Sequence, residues 1–324
     1  MRRARVASLA LVIALGSYLT GGGAAVSQAL LVDRETSAST FTTAASFPDS
    51  TPPVVLSSVA SKTVPYLPGF IRQGGSYYVY ANVTDAGSSV LTVTAGVSTV
   101  TTGMTAAPLV AGSYSIGGTS YNYRSGSIIA DATLSAGARA YTVAAVDAVG
   151  NSVTQGGFSV TVDNTRPAGA TVATANGGTI IGRPELADTV TLTFTEVVEP
   201  NSILGGWNGV AASVVVRITN AAGGDALTVR NAANTAQLPL GSINLGGTGY
   251  VGATRDFGST GTASSMVQSG STITITLGSP SGVGTTQSGT TTMTWTPSAT
   301  ATDRAGNVCQ TTVITEAAPA DVEF

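Results

Sequence analysis

The sequence predicts an all-β protein of two sandwich domains in tandem, preceded by a targeting segment and a short linker. Three observations carry this. Thr, Val, Ser and Gly dominate the 324 residues, and only 10% of them are charged; Thr and Val favour strands, whereas Gly and Ser favour turns. Short runs alternate apolar and polar residues with the period of a half-buried strand. Gly and Asp/Asn turns bound these runs at spacings of about ten residues, the pattern of a sandwich. An apolar content of 43% excludes a disordered chain, which needs low hydrophobicity and high net charge. The helix formers Glu and Lys are scarce: Lys62 is the only lysine.

In chain order, residues 1–29 read as a signal peptide. Met1-Arg2-Arg3-Ala4-Arg5 is a basic start, and the apolar stretch from Val6 to Leu19 is short for a permanent span. Small residues place the cleavage site after Ala29, with Ala25 as the second candidate. Cleavage removes Arg2, Arg3 and Arg5 and leaves a more acidic chain. Residues 30–53 read as a linker that turns rich in Pro and Ser from Ser46 onward.

Residues 54–165 form the first predicted sandwich. Val79, Ala81 and Val83 share one face of a strand, as do Tyr141, Val143 and Ala145; Phe158 to Val162 alternates too. Asp163-Asn164-Thr165-Arg166-Pro167 ends the block, because a proline after a polar turn cannot extend a central strand. Residues 166–324 form a second, larger sandwich with an acidic tail. There Val190, Leu192 and Phe194 point inward between threonines, and Ile273 and Ile275 repeat the pattern. The order of strand pairing is not readable.

Two resemblances add to this. Leu31-Val32-Asp33-Arg34-Glu35-Thr36-Ser37, running on to Thr40-Phe41-Thr42-Thr43-Ala44, resembles the start of camelysin-like secreted proteins with a SipW-dependent-type signal peptide. It departs from them at Ala44, where that family usually has Gly. Several members form extracellular matrix fibres, so the resemblance implies export. Asp147-Ala148-Val149-Gly150-Asn151 and Asp303-Arg304-Ala305-Gly306-Asn307 repeat a D-x-x-G-N turn. This turn is similar to the last hairpin of bacterial immunoglobulin-like domains, which serve as spacers, adhesive modules and matrix parts.

Function is less legible than fold. The chain has no histidine, which removes histidine-based general-base, nucleophile and zinc chemistry. A net charge of −3 gives no nucleic-acid footprint. No catalytic residue, resident cofactor or permanent membrane span is expected. Asp147, Asp163, Asp188 and Asp303 are the calcium candidates, since carboxylate and carbonyl oxygens suit that ion. For Asp147 and Asp303 turn formation is the favoured reading; Asp163, Asn164, Glu185 and Asp188 are the candidates for an interdomain site. Asp131, Glu196 and Glu199 are further acids considered for a glycosidase pair, with a strand exit preferred for the last two. Lys62 reads as solvated and Cys309 as a buried small hydrophobe. Tyr114, Tyr121, Tyr123, Trp207, Tyr250 and Trp295 are the aromatic candidates for a glycan platform, Trp295 reading as core and Trp207 as a loop anchor.

The expected protein is a non-enzymatic secreted or cell-surface structural or matrix protein, associating with itself or with envelope components. The alternative is a carbohydrate-binding or adhesive module. Self-association is suggested by strands whose outer faces carry Thr in place of the charges that normally protect sheet edges.

Overall fold

The computed structural model describes residues 49–63 and 65–324. The predicted signal peptide and most of the predicted linker therefore lie outside the described residues. The described residues form one compact unit, built from two sheets with separate cores.

The first sheet contains β1 (Val54–Ser61), β2 (Phe70–Ile71), β3 (Ser76–Thr84), β4 (Val90–Gly96), β5 (Ala107–Ile116), β6 (Thr119–Ser125), β7 (Ile128–Ile129), β8 (Gly137–Asp147) and β9 (Ser152–Val162). Their order is β1-β3-β6-β5-β4-β8-β9-β2, with β7 paired to β3. All pairs are antiparallel except the short β2–β9 pair. The period-two reading holds: Val79, Ala81 and Val83 are buried on β3, and Tyr141, Val143 and Ala145 on β8. The sheet curls back on itself, so that Ser58 Oγ on β1 lies 3.1 Å from Tyr141 Oη on β8. Gly117 and Gly118 join β5 to β6 with φ of 57° and 76°, the left-handed pair that a tight hairpin needs.

The second sheet contains β10 (Gly169–Ala175), β11 (Thr189–Phe194), β12 (Ala212–Thr219), β13 (Ala226–Asn231), β14 (Ser242–Asn244), β15 (Arg255–Phe257), β16 (Ser264–Ser269), β17 (Thr272–Thr276), β18 (Thr294–Thr296) and β19 (Ile314–Thr315), with one helical turn, α1 (Pro200–Ile203). The order is β10-β11-β17-β16-β12-β13-β14-β18-β19, with β15 on β12. Val190, Leu192 and Phe194 face Ile273, Ile275 and Trp295 in the core. Each such aliphatic side chain, fully buried, contributes roughly 1.5–3 kcal/mol. Gly169 closes the barrel-like curl: a Cβ there would sit 2.7 Å from Ile314 Cγ1 and 2.9 Å from the Trp295 ring. Trp295 donates to Leu240 O at 2.7 Å and meets Phe194 edge-on. The predicted acidic tail is folded in, with Asp321 bridging Thr291 and Phe324 packed on Tyr250.

Side chains tie the two sheets together. Arg166 donates from Nε to Val308 O at 2.9 Å. Glu199, 1% exposed, accepts from Tyr66 N at 2.7 Å. The Arg304 guanidinium stacks 3.9 Å from the Phe70 ring centroid. Lys62 is not the solvated residue expected from sequence. It is half-buried and donates to Asp303 O at 2.8 Å and to Thr302 Oγ1 at 3.3 Å. Burial lowers its pKa, against the opposing pull of Glu199 and Asp303.

Candidate functional site

The two D-x-x-G-N turns are built alike. At the end of β8, Asp147 Oδ1 accepts from Val149 N at 3.0 Å and Asn151 N at 2.8 Å, while Oδ2 accepts from Asn151 Nδ2 at 2.8 Å. In the second turn, Asp303 Oδ1 accepts from Gly306 N and Asn307 N, at 2.6 and 2.7 Å, and Oδ2 from Asn307 Nδ2 at 2.8 Å. Gly150 and Gly306 hold φ of 98° and 95°, a conformation that costs glycine nothing. Both aspartates form their turns as the sequence suggests.

Each turn also gathers two more acids. Asp49, Asp85 and Asp147 each place a carboxylate oxygen within 4.8 Å of the other two, and Asp163, Glu196 and Asp303 do the same. The equivalence extends to the surroundings. Asn151 Nδ2 also donates to Asp49 O at 3.1 Å, and Asn307 Nδ2 to Asp163 O at 2.8 Å. Asp49 Oδ1 accepts from Thr51 N at 2.9 Å, and Asp163 Oδ1 from Thr165 N at 3.0 Å. Asp85 follows β3, the partner of the strand that opens the first sheet; Glu196 follows β11, the partner of the strand that opens the second. Both modules thus carry the same three elements: D-x-T-x-P before the first strand, an acid after Thr at the end of its partner, and D-x-x-G-N in a late turn.

Several of these oxygens lack a donor. Asp49 Oδ2, Asp85 Oδ1 and Glu196 Oε1 are enclosed and make no hydrogen bond. A buried acceptor without a partner is costly, and three carboxylates brought together repel one another. A hard cation held by oxygen ligands relieves both costs.

The electrostatics of the triads differ. Burial disfavours the charged form of Asp147, but bonds from Asn151, Val149 and Gly150 outweigh it and hold the pKa below the usual range. Burial wins at Asp303, where the pKa is raised despite bonds from Asn307 and Gly306. Glu196 is pushed up to about 7, first by burial and then by the charges of Asp163 and Asp303, with Arg304 pulling the other way.

No family model matches the chain, and no curated protein matches it.

The remaining sequence candidates fall elsewhere. Asp188 does not join Asp163. The hairpin between β10 and β11 pairs Gly169 with Phe194 at one end and Ala175 with Thr189 at the other, so the strands hold the two aspartates about 20 Å apart. Asp188 instead accepts from Gly177 N and Gly178 N, both at 2.9 Å, and from Glu185 N at 2.6 Å. Glu185 is paired with Arg183 in that same loop, which holds its pKa down at about 2. Asn164 accepts from Gln73 N at 2.8 Å and lies outside the triad. Asp131 caps Thr102, and Glu199 faces Tyr66 and Leu67.

Trp207, Tyr250 and Trp295 are buried, and Trp207 anchors its loop by donating to Val210 O at 2.6 Å. Tyr123 packs against the first core. Tyr114 and Tyr121 join Tyr78 and Tyr80 in one aromatic group, with Arg124 4.5 Å from the Tyr114 ring centroid and 4.9 Å from that of Tyr78. Cys309 is buried, with its thiol pushed up to about 11 by burial.

Asp49 and Asp85 were not among the sequence candidates. The signal for them was present: Asp49-Ser50-Thr51-Pro52-Pro53 echoes Asp163-Asn164-Thr165-Arg166-Pro167, and Thr84-Asp85 echoes Thr195-Glu196.

Proposed function

We propose that this chain is a non-enzymatic, secreted or cell-surface structural protein built of immunoglobulin-like modules, in which calcium at the acidic triads stiffens the start of each module. The observation that carries the reading is the repeated constellation of Asp49, Asp85 and Asp147 in one module and Asp163, Glu196 and Asp303 in the next. The same three-part arrangement in two otherwise different sheets points to a structural role for the turn and its acids, with ion binding as the chemistry that oxygen-only clusters support. The ties through Lys62, Glu199 and Arg304 suit a protein whose modules must hold a fixed orientation.

Export rests on the basic and apolar start of the sequence and its resemblance to camelysin-like proteins. Among the described residues, no helix is long and apolar enough to cross a membrane. Homo-association is supported by the first residues of β1, an end strand of the first sheet, which carry no charge and expose Val54 and Leu56. Such an edge is a template for pairing with another chain. Light scattering across a concentration series tests this: assembly that Leu56→Lys abolishes supports the matrix reading, and a monomer at every concentration sinks it.

A second reading, a glycan-binding or adhesive module, draws on the tyrosines around Arg124. Tyrosine offers an apolar face and a polar tip suited to sugars. Glycan-array binding that Tyr121→Ala removes would favour it over the matrix reading.

A further inference from the structure

A third group of acids lies on the segment that closes the second sheet. Glu316, Asp321 and Glu323 each bring a carboxylate oxygen within 4.8 Å of the other two. Their backbone is held firmly. Glu316 exchanges two bonds with Met293, its N donating to Met293 O at 3.0 Å and its Oε1 accepting from Met293 N at 2.9 Å. Asp321 O accepts from Thr291 N at 2.7 Å. Glu323 N donates to Tyr250 Oη at 3.0 Å, and its Oε2 accepts from Thr174 Oγ1 at 2.5 Å.

Glu323 is the unusual member. It is 1% exposed, yet its Oε1 has no hydrogen-bond donor. Neither of the two ion pairs among the described residues involves any of the three acids. A buried carboxylate next to two others needs a neutralising partner. The groups around it are oxygen acceptors and hydroxyls: Glu316, Asp321, Thr174 and Tyr250. That set suits a hard divalent ion better than a soft one.

We propose that Glu316, Asp321 and Glu323 form a divalent-cation site, separate from the two turn triads, that fastens residues 314–324 onto the second sheet. The rival occupant is a proton. Burial, followed by the neighbouring Glu316 and Asp321, pushes Glu323 up to about 8, so a shared proton would serve the same end near neutrality.

Hydrogen exchange on the full chain, with calcium chloride or with chelator at pH 8.5, separates the two. The proposal expects calcium to slow exchange of the Glu323 and Thr291 amides at least fivefold. Asp321→Asn, at an exposed position, should remove that protection while leaving the fold intact, and Asp303→Asn should leave it in place. Glu323→Gln, whose amide can replace a proton, should give calcium-independent protection. Exchange of these amides that responds to acidification and not to calcium would overturn the proposal. So would calcium protection that survives Asp321→Asn.

Discussion

The two turn triads share a plan and differ in what covers them. The first, at Asp147, sits at the start of the first sheet, where hydrogen bonds dominate and the turn aspartate stays ionised. The second, at Asp303, lies where the first sheet meets the second, with Lys62 on its backbone and Arg304 against Phe70. There burial raises Asp303 and carries Glu196 to about 7. The same local turn holds its aspartate below the usual carboxylate range in one setting and above it in the other. Packing around the turn, and not the turn sequence, decides which.

The largest break in this comparison is Asp303→Ala. It removes the carboxylate that accepts from Gly306 N, Asn307 N and Asn307 Nδ2, leaving Gly306 N with Asp303 O and Asn307 Nδ2 with Asp163 O, at a buried junction where a lost partner costs about 1–3 kcal/mol. We expect a loss of roughly 3 kcal/mol by denaturant unfolding. Asp147→Ala removes an equivalent set but no junction, and should cost about 2 kcal/mol. Equal costs, or a larger one at Asp147, would break the contrast.

The next effect is pH dependence. In the folded protein Glu196 keeps its proton up to about 7, whereas in the unfolded chain it loses it near its ordinary value of 4.5. The folded state binds more protons between those values. The stability this group contributes is therefore complete below about 4.5 and lost as pH climbs to about 7. With chelator present, melting temperature should fall over that window, and Glu196→Gln should flatten part of the fall. An unchanged slope in the variant would show that Glu196 is not the sensitive group.

Lys62→Met should cost about 1 kcal/mol, because it removes the bond to Asp303 O and keeps the stem. Arg304→Ala should cost about 0.5–1 kcal/mol through the lost contact with Phe70. Differential scanning calorimetry can rank the two. The reverse order would place more of the junction in the ring contact than in the lysine.

Much of the fold was legible because each strand announces itself locally. Val190, Leu192 and Phe194 alternate with threonines, and the structure buries all three. Pairing order was not, since β12 reaches β13, β15 and β16 through contacts that no local pattern encodes. The D-x-x-G-N turns were found for the same local reason. The triads are hidden in the sequence because their members come from three distant segments, linked only by the repeats of D-x-T-x-P and of an acid after Thr. Asp188 lies apart from Asp163 because the β10–β11 hairpin carries it to the far end of those strands, which its place in the sequence does not reveal. Lys62 was read as solvated because nothing in a strand-end lysine reveals a carbonyl 241 positions away.

Ion binding by the paired triads is the property on which the proposed role depends most. Calorimetric titration of the full chain with calcium at pH 7.5 tests it, comparing the natural protein with a variant carrying Asp85→Asn and Glu196→Gln. Calcium is expected to bind the natural protein and raise its melting temperature, and the variant to lose two ions of the stoichiometry while remaining folded. Equal stoichiometry in both proteins, or no calcium heat in the natural one, would contradict it.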